Sequence, residues 1–206
     1  MGKARLAKKT IGITGCVGFI GKHLIELIGE SGKYDIRCFK GDLLKEEDVK
    51  DFFKNGDIDI VIHLAGAFFG DFNTLLNANF KTTENLVRIG VEGGLKKIIF
   101  SSSGAVYGEP VSKSSNEEDP LRPNTYYGLT KLYAEKYLEY YHYTNGLQYI
   151  ILRFPNVYGN GNDKGVIYNF LRDIKEKGVI TVYGDGSASR DFLHVSDACV
   201  AIVKSI

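Results

Sequence analysis

Tyr127 and Lys131 stand four residues apart in Tyr-Tyr-Gly-Leu-Thr-Lys, a spacing that sets both side chains on one face of a helix. A phenol titrates near pH ~10 and is a poor base at neutrality, but a neighbouring ammonium favours the phenolate and lowers that value. Such a pair can take a proton from a substrate hydroxyl and give it back. Alone, tyrosine and lysine at this spacing are commonplace on exposed helices, so the chemistry needs a context. Ile98–Gly108 supplies one: an apolar run that ends in the three hydroxyls of Ser101, Ser102 and Ser103. Carboxyl ends of parallel strands are where open α/β sheets hold ligands, and a hydroxyl there can bond the same oxygen that Tyr127 serves. Ser101 and Ser102 equally suit a strand end that satisfies its own backbone groups.

A second constellation is Thr14-Gly15-Cys16-Val17-Gly18-Phe19-Ile20-Gly21, between a strand-like run and an amphipathic one. Glycines at 15, 18 and 21 let the backbone turn tightly, approach a pyrophosphate, and pack the helix on the strand. The helix start then offers free N–H groups to phosphates. With 24 glycines in the chain the spacing alone also fits a plain strand-to-helix turn, and it is the combination of strand, spacing and helix that points to a dinucleotide.

These groups need elements to hold them. Short apolar β-branched runs alternate with longer amphipathic ones along all 206 residues, the pattern of an α/β chain with a parallel sheet covered by helices. Strands are expected at Lys9–Thr14, Asp35–Phe39, Ile58–Leu64, Lys96–Ser101, Gln148–Phe154 and Val179–Tyr183. Helices are expected at Phe19–Ser31, Glu46–Lys54, Thr74–Val91, Thr125–Thr144, Val166–Lys177 and from Ser196, whose hydroxyl can cap the last one. Gly108–Asn124, rich in Ser, Glu, Pro and Asn, reads as a functional loop. Lys and Arg number 26 against 25 Asp and Glu, a balance that excludes an electrostatic nucleic-acid binder. The N-terminal segment turns from basic residues straight into a strand with no apolar leader, so a cytoplasmic protein without a membrane segment is expected. Cys16, Cys38 and Cys199 are odd in number and lack zinc or disulfide-framework spacing, so reduced, structural thiols are expected and no metal site.

In order along the chain, TGCVGFIG, VIHLAGA, Asn79 six before Asn85-Leu86, SSSGAVYG, EEDPLRPNTYYGLTK, LRFPNVYG and YGDGSASRDFLHVSDA together resemble the extended short-chain dehydrogenase/reductases. Within that group the chain is similar to the NAD-dependent epimerase/dehydratases that act on nucleotide sugars. The resemblance runs from Thr10 to Ile202. It implies a Rossmann-type doubly wound parallel sheet with helices on both faces, an NAD or NADP cofactor, and a homodimer. It makes Ser103 and Tyr127 catalytic, with Lys131 holding the nicotinamide ribose and tuning the tyrosine. Gly15, Gly18, Phe19, Ile20, Gly21, Asp42, Leu43, Leu64, Ala65, Ala67 and Asn79 would meet the cofactor. Asn156, Val166 and Arg190 would meet the substrate, the arginine through a nucleotide phosphate, where its fork of donors suits the oxygens.

Two departures qualify the match. Relatives carry an acidic residue at the end of the second strand, then a helix and a third strand ending in Gly-Asp-Leu; here Tyr34–Phe39 runs directly into Lys40-Gly41-Asp42-Leu43. Arg37 and Lys40 are better placed for a 2′-phosphate, a lean towards NADP. Relatives also extend well beyond the Arg-Asp-Phe motif, so residues 1–206 are expected to hold the cofactor domain and only the start, about 155–195, of a substrate part. Gly104-Ala105 fills the place where dehydratases of the family carry an Asp-Glu pair, which favours epimerisation; a reductase or a non-catalytic dinucleotide binder remain as alternatives. Tyr133, Tyr137 and Tyr141 recur on the Tyr127 helix, and the dimer is expected to form across Thr125–Thr144 and Thr74–Val91. His63 is expected to be buried beside the cofactor strand.

Overall fold

The computed structural model describes residues 8–109 and 115–206; the middle of the long Gly108–Asn124 loop lies outside them. Five parallel strands form the central sheet in the order β2-β1-β3-β4-β5: β1 (Lys9–Thr14), β2 (Tyr34–Cys38), β3 (Ile58–His63), β4 (Lys97–Ser103) and β5 (Gln148–Phe154). The chain steps outward from β1 to β2 and then returns across β1 to β3, so a switch point opens at the carboxyl ends of β1 and β3.

The strands are apolar on both faces, and helices close each one. Ile11, Ile13, Ile62 and Ile99 pack with Leu24 and Ile28 of α1 (Phe19–Ser31) and with Ala198 and Ile202 of α7 (Val195–Lys204). Val61, Ile98 and Phe100 pack on the other side with α2 (Glu46–Phe53), α4 (Thr82–Glu92) and α5 (Tyr126–Asn145) through Phe52, Leu86, Ala134 and Leu138. Alternation of side chains along each pleated strand produces this division. The doubly wound α/β architecture is therefore as expected.

Four local expectations are corrected. The run expected as one helix from Thr74 divides into α3 (Phe72–Leu75), a π-helical turn at Leu76–Lys81 and α4, with Asn79 in the wider turn. Val179–Tyr183 forms no strand, because no neighbouring strand takes up its N–H and C=O groups and its apolar side chains stand exposed. Instead β6 (Asn156–Tyr158) pairs in parallel with β7 (Phe192–His194), on either side of α6 (Gly165–Lys177). The last helix is capped by the His194 ring, which accepts from the Ser196 N–H at 3.3 Å, and not by Ser196. Finally, Cys16 and Cys38 are joined in a disulfide. They are 22 residues apart in the chain, but β1 pairs with β2 so that Ile13 faces Cys38, and the turn after Thr14 brings the two Cα atoms to 5.9 Å. Cys199 is a free, buried thiol.

As expected from the merged Lys40-Gly41-Asp42-Leu43 segment, β2 leads directly into α2, and β2 and β5 are the two sheet edges among the described residues.

Candidate active site

The Gly-rich turn lies at the switch point. Gly15 has φ +75°, and a Cβ there would come within 2.9 Å of the Ala65 nitrogen and the Leu64 carbonyl carbon, so only glycine lets the end of β1 lie against the end of β3. A Cβ on Gly21 would run into the Gly15 carbonyl oxygen. Gly18 donates its N–H to that oxygen at 3.0 Å and starts α1 with no side-chain cap and no acid in the first turn. The positive end of the helix and its N–H groups are thus free for an anion, and the absence of Cβ atoms lets that anion come close. The turn fits the diphosphate of a dinucleotide.

Behind the turn a chain of hydrogen bonds fixes β3. Thr83 donates to the Asn79 carbonyl at 2.7 Å, so its oxygen accepts from His63 Nε2 at 3.0 Å. His63 Nδ1 then accepts from the Thr14 hydroxyl at 2.6 Å, and Thr14 accepts from the Ala65 N–H at 3.2 Å. Burial drives the His63 pKa down to about 3, assisted by the nearby Lys131 charge, so the ring is neutral and needs both bonds. His63 is buried beside the cofactor strand, as expected. The Asn79 side chain accepts from the Ala67 N–H at 2.9 Å and donates to the Ala67 carbonyl at 2.8 Å and to Thr130 at 3.1 Å. It thereby ties the segment after β3 to α5. The π-helical turn is what aims this buried amide inward.

Ser103 ends β4, and Tyr127 lies in the first turn of α5. Thr125 caps α5 by accepting from the Gly128 N–H at 3.1 Å. A Cβ on Gly128 would collide with the Ala105 carbonyl, so this glycine lets α5 close on the turn that follows Ser103. The Ser103 hydroxyl lies close enough to the Tyr127 phenol to act on its titration. Burial raises the Tyr127 phenol above its usual range, with the Ser103 hydroxyl acting the other way; the lowered value expected from a nearby lysine is not found. The reason is geometric: the Lys131 ammonium donates to the Ser101 carbonyl at 2.9 Å and lies 4.8 Å from the centre of the Phe100 ring. Burial also pulls Lys131 down to about 8, against the opposing pull of Glu135.

The remaining predicted residues divide into two groups. Leu64, Ala65 and Ala67 line the half-buried segment after β3, and Phe19 and Ile20 begin α1. Leu43 is buried, and the Asn85 amide clips its carbonyl at 3.1 Å. Asp42 is exposed and accepts from the Leu44 N–H at 2.9 Å. Lys40 is exposed, whereas Arg37 closes its fork on Asp57 at 2.5 and 2.6 Å and is committed to that carboxylate. In the second group, Asn156 donates to the Asp191 carbonyl at 3.1 Å, so the β6–β7 pairing joins it to the Arg-Asp-Phe segment. Val166 and Arg190 stand exposed, the arginine donating to the carbonyl of Ser189 at 2.7 Å. Sequence reasoning missed Gly128, Thr130 and the pair Glu135–Arg153; Glu135 follows Lys131 at the same interval at which Lys131 follows Tyr127, a signal that could have marked it.

Residues 11–206 match the family model of the NAD dependent epimerase/dehydratase family. The chain belongs to that family. A putative UDP-glucose 4-epimerase of Methanocaldococcus jannaschii is 31% identical over 94% of this chain and 72% of its own length. Among solved structures, the UDP-glucose 4-epimerase of Thermotoga maritima with UDP-glucose superposes with TM-score 0.88 at 27% identity, covering 96% of this chain and 73% of that one. The Thermus thermophilus UDP-glucose 4-epimerase in complex with NAD gives TM-score 0.85 at 26% identity, over 95% and 73%. An epimerase/dehydratase-type, NAD-dependent enzyme, as read from the sequence, is thus borne out.

Proposed function

We propose that this epimerase/dehydratase chain inverts a hydroxyl-bearing carbon of a nucleotide sugar, with NAD as cofactor. The observation that carries the reading is the juxtaposition of Ser103 and Tyr127 at the carboxyl end of β4, beside the buried Lys131 and across the switch point from the Gly15–Gly21 turn. When bound, NAD supplies a hydride acceptor and returns the hydride. Tyr127 takes the proton of the sugar hydroxyl and later gives it back, while Ser103 holds the same oxygen. Lys131, whose ammonium is held by the Ser101 carbonyl beside this pair, would hold the nicotinamide ribose. Gly104 and Ala105, in the short 3-10 turn after Ser103, carry no group that could exchange a proton, which favours inversion over dehydration.

Gly15, Gly18, Phe19, Ile20, Gly21, Leu64, Ala65, Ala67 and Asn79 would hold the cofactor, with Asp42 and Leu43 on its adenosine side. With Arg37 taken by Asp57, Lys40 alone would meet a 2′-phosphate, which favours NAD over NADP. Asn156, Val166 and Arg190 are proposed substrate contacts. The chain is further proposed to pair as a homodimer across α5 and the Leu76–Glu92 run, where Phe80 meets Tyr133 and Tyr137 edge-on while Tyr133 stays 40% exposed. Purified protein supplied with NAD and UDP-glucose should yield the 4-epimer, detected by anomeric proton NMR, and should bind NADH more tightly than NADPH. No epimer from UDP-glucose, UDP-glucuronic acid or their N-acetyl analogues would overturn the reading. A monomer in light scattering at high concentration would reject the dimer.

A further inference from the structure

The fully buried Glu135 and the Arg153 side chain, 18% exposed, form an ion pair that the proton transfer above does not use. Glu135 is the third member of the series Tyr127, Lys131, Glu135 on one face of α5, and its side chain is fully buried. Arg153 on β5 donates to both of its oxygens, from Nε at 3.2 Å and from Nη2 at 2.8 Å. Ser102, next to Ser103 on β4, donates to the same carboxylate. The other arm of Arg153 donates from Nη1 to the Tyr107 hydroxyl at 2.9 Å and to the Glu117 carbonyl at 3.3 Å, with the guanidinium carbon 5.1 Å from the centre of the Tyr107 ring. Tyr107 closes the turn that Ser103 opens, and Glu117 lies in the loop leading to Tyr127.

A buried ion pair is a poor way merely to stabilise a core, since apolar residues of similar volume do as well or better. What this pair has that apolar residues lack is direction and charge. Its hydrogen bonds run to both segments that carry the proposed catalytic groups, and its carboxylate lies one turn from Lys131. The groups around Lys131 are Glu135 on α5, the neutral His63 on β3, the Asn79 amide on the π-helical turn, and the Ser101 carbonyl and Phe100 ring on β4. Glu135 is the carboxylate that acts on Lys131 among the described residues.

We infer that Glu135 and Arg153 are positioning residues: the pair holds Ser103 against Tyr127 and balances the Lys131 ammonium. The inference rests on the roles proposed for Ser103, Tyr127 and Lys131. Its two halves separate experimentally. Glu135→Gln keeps the size and removes the charge; the Lys131 side-chain titration, followed by NMR of labelled lysine and assigned with Lys131→Met, should move down by about one pH unit. The alkaline limb of the kcat profile should move with it, while KM for the nucleotide sugar stays near that of the parent. Arg153→Lys keeps a cation on Glu135 but cannot span to Tyr107 and Glu117. It should leave the Lys131 titration and NADH binding unchanged and lower kcat about tenfold, the cost of a misplaced reacting group. Parental kcat in Arg153→Lys overturns the geometric half, and an unmoved Lys131 titration in Glu135→Gln overturns the charge half. If Glu135→Gln does not fold, Arg153→Lys decides the geometric half, and Glu135→Asp, which draws the carboxylate back from Lys131, decides the charge half by the same titration. If the parent converts no nucleotide sugar, the proposed function fails, yet the Lys131 titration in Glu135→Gln still decides whether the carboxylate tunes that lysine.

Discussion

Residues 8–154 and residues 155–194 hold their functional candidates in different ways. In the first region the central strands β1, β3 and β4 are covered on both faces, and His63, Asn79, Lys131 and Glu135 are polar groups sunk into that core with their bonds made. In the second, α6 turns Leu171 and Ile174 outward at 63% and 49% exposure, Tyr183 stands at 91%, and Val166 and Arg190 have open surroundings. The chemistry proposed for Tyr127 depends on burial, because only a dry site gives Lys131 and Glu135 leverage over a proton. The proposed substrate contacts depend on side chains that do not yet bury one another. The proposed function thus assigns proton chemistry and cofactor binding to the first region, and substrate affinity to the second.

The most direct way to break this contrast is Tyr127→Phe. It should lower kcat by about 10²–10⁴-fold and leave NADH binding within twofold, measured by steady-state turnover and NADH fluorescence titration. Loss of NADH binding instead would make Tyr127 a structural member of the region.

Reduction of the Cys16–Cys38 bridge comes next. A bridge that closes a 22-residue span stabilises by about 3 kcal/mol in the chain-entropy account, so dithiothreitol should lower the unfolding free energy from denaturant titration by that amount. Because the bridge sits under the Gly-rich turn, the loss should appear in the cofactor region; an identical midpoint in Cys38→Ser with and without reductant is the control.

A pH-dependent effect comes from His63, held at about 3, below the ordinary histidine value of 6.5. Between those values the unfolded chain carries a proton that the folded chain excludes, so stability is full above pH 6.5 and falls as the pH drops towards 3. The slope from this group is at most about 1.4 kcal/mol per pH unit. His63→Gln should flatten it in urea titrations at pH 4 to ~6.5; an unchanged slope would mean that other groups govern acid stability.

The smallest expected effect sharpens the contrast from the other side. Leu171→Ala, in the exposed face of α6, should alter stability by less than about 0.5 kcal/mol, whereas Leu138→Ala in the core should cost about 2–5 kcal/mol, both by urea unfolding. Equal losses would show that α6 is covered in solution.

Much of the fold was legible because its signals are local. Continuous β-branched runs marked the five main strands to within two residues, and the expected bounds of β1, α1 and β5 coincide with those observed. Val179–Tyr183 failed because an apolar run specifies a strand only when a neighbour completes its hydrogen bonds, and composition does not reveal neighbours. The helix expected at Thr74–Val91 was right in kind but hid its π-helical turn, which exists to aim the Asn79 amide at Ala67 and Thr130.

By itself the sequence determined that glycine stands where β1 meets α1, that Tyr127 and Lys131 share a helical face, and that a hydroxyl ends β4. These follow from the helical repeat, the pleat and the freedom of glycine, each acting over a few residues. Only the tertiary structure decided that Ser103 meets Tyr127, that Arg37 is taken by Asp57, that Cys16 finds Cys38, and that Glu135 grips Arg153. Those pairings depend on the strand order β2-β1-β3-β4-β5, which is set by how both faces of the whole sheet are buried, and no short window of residues carries that information.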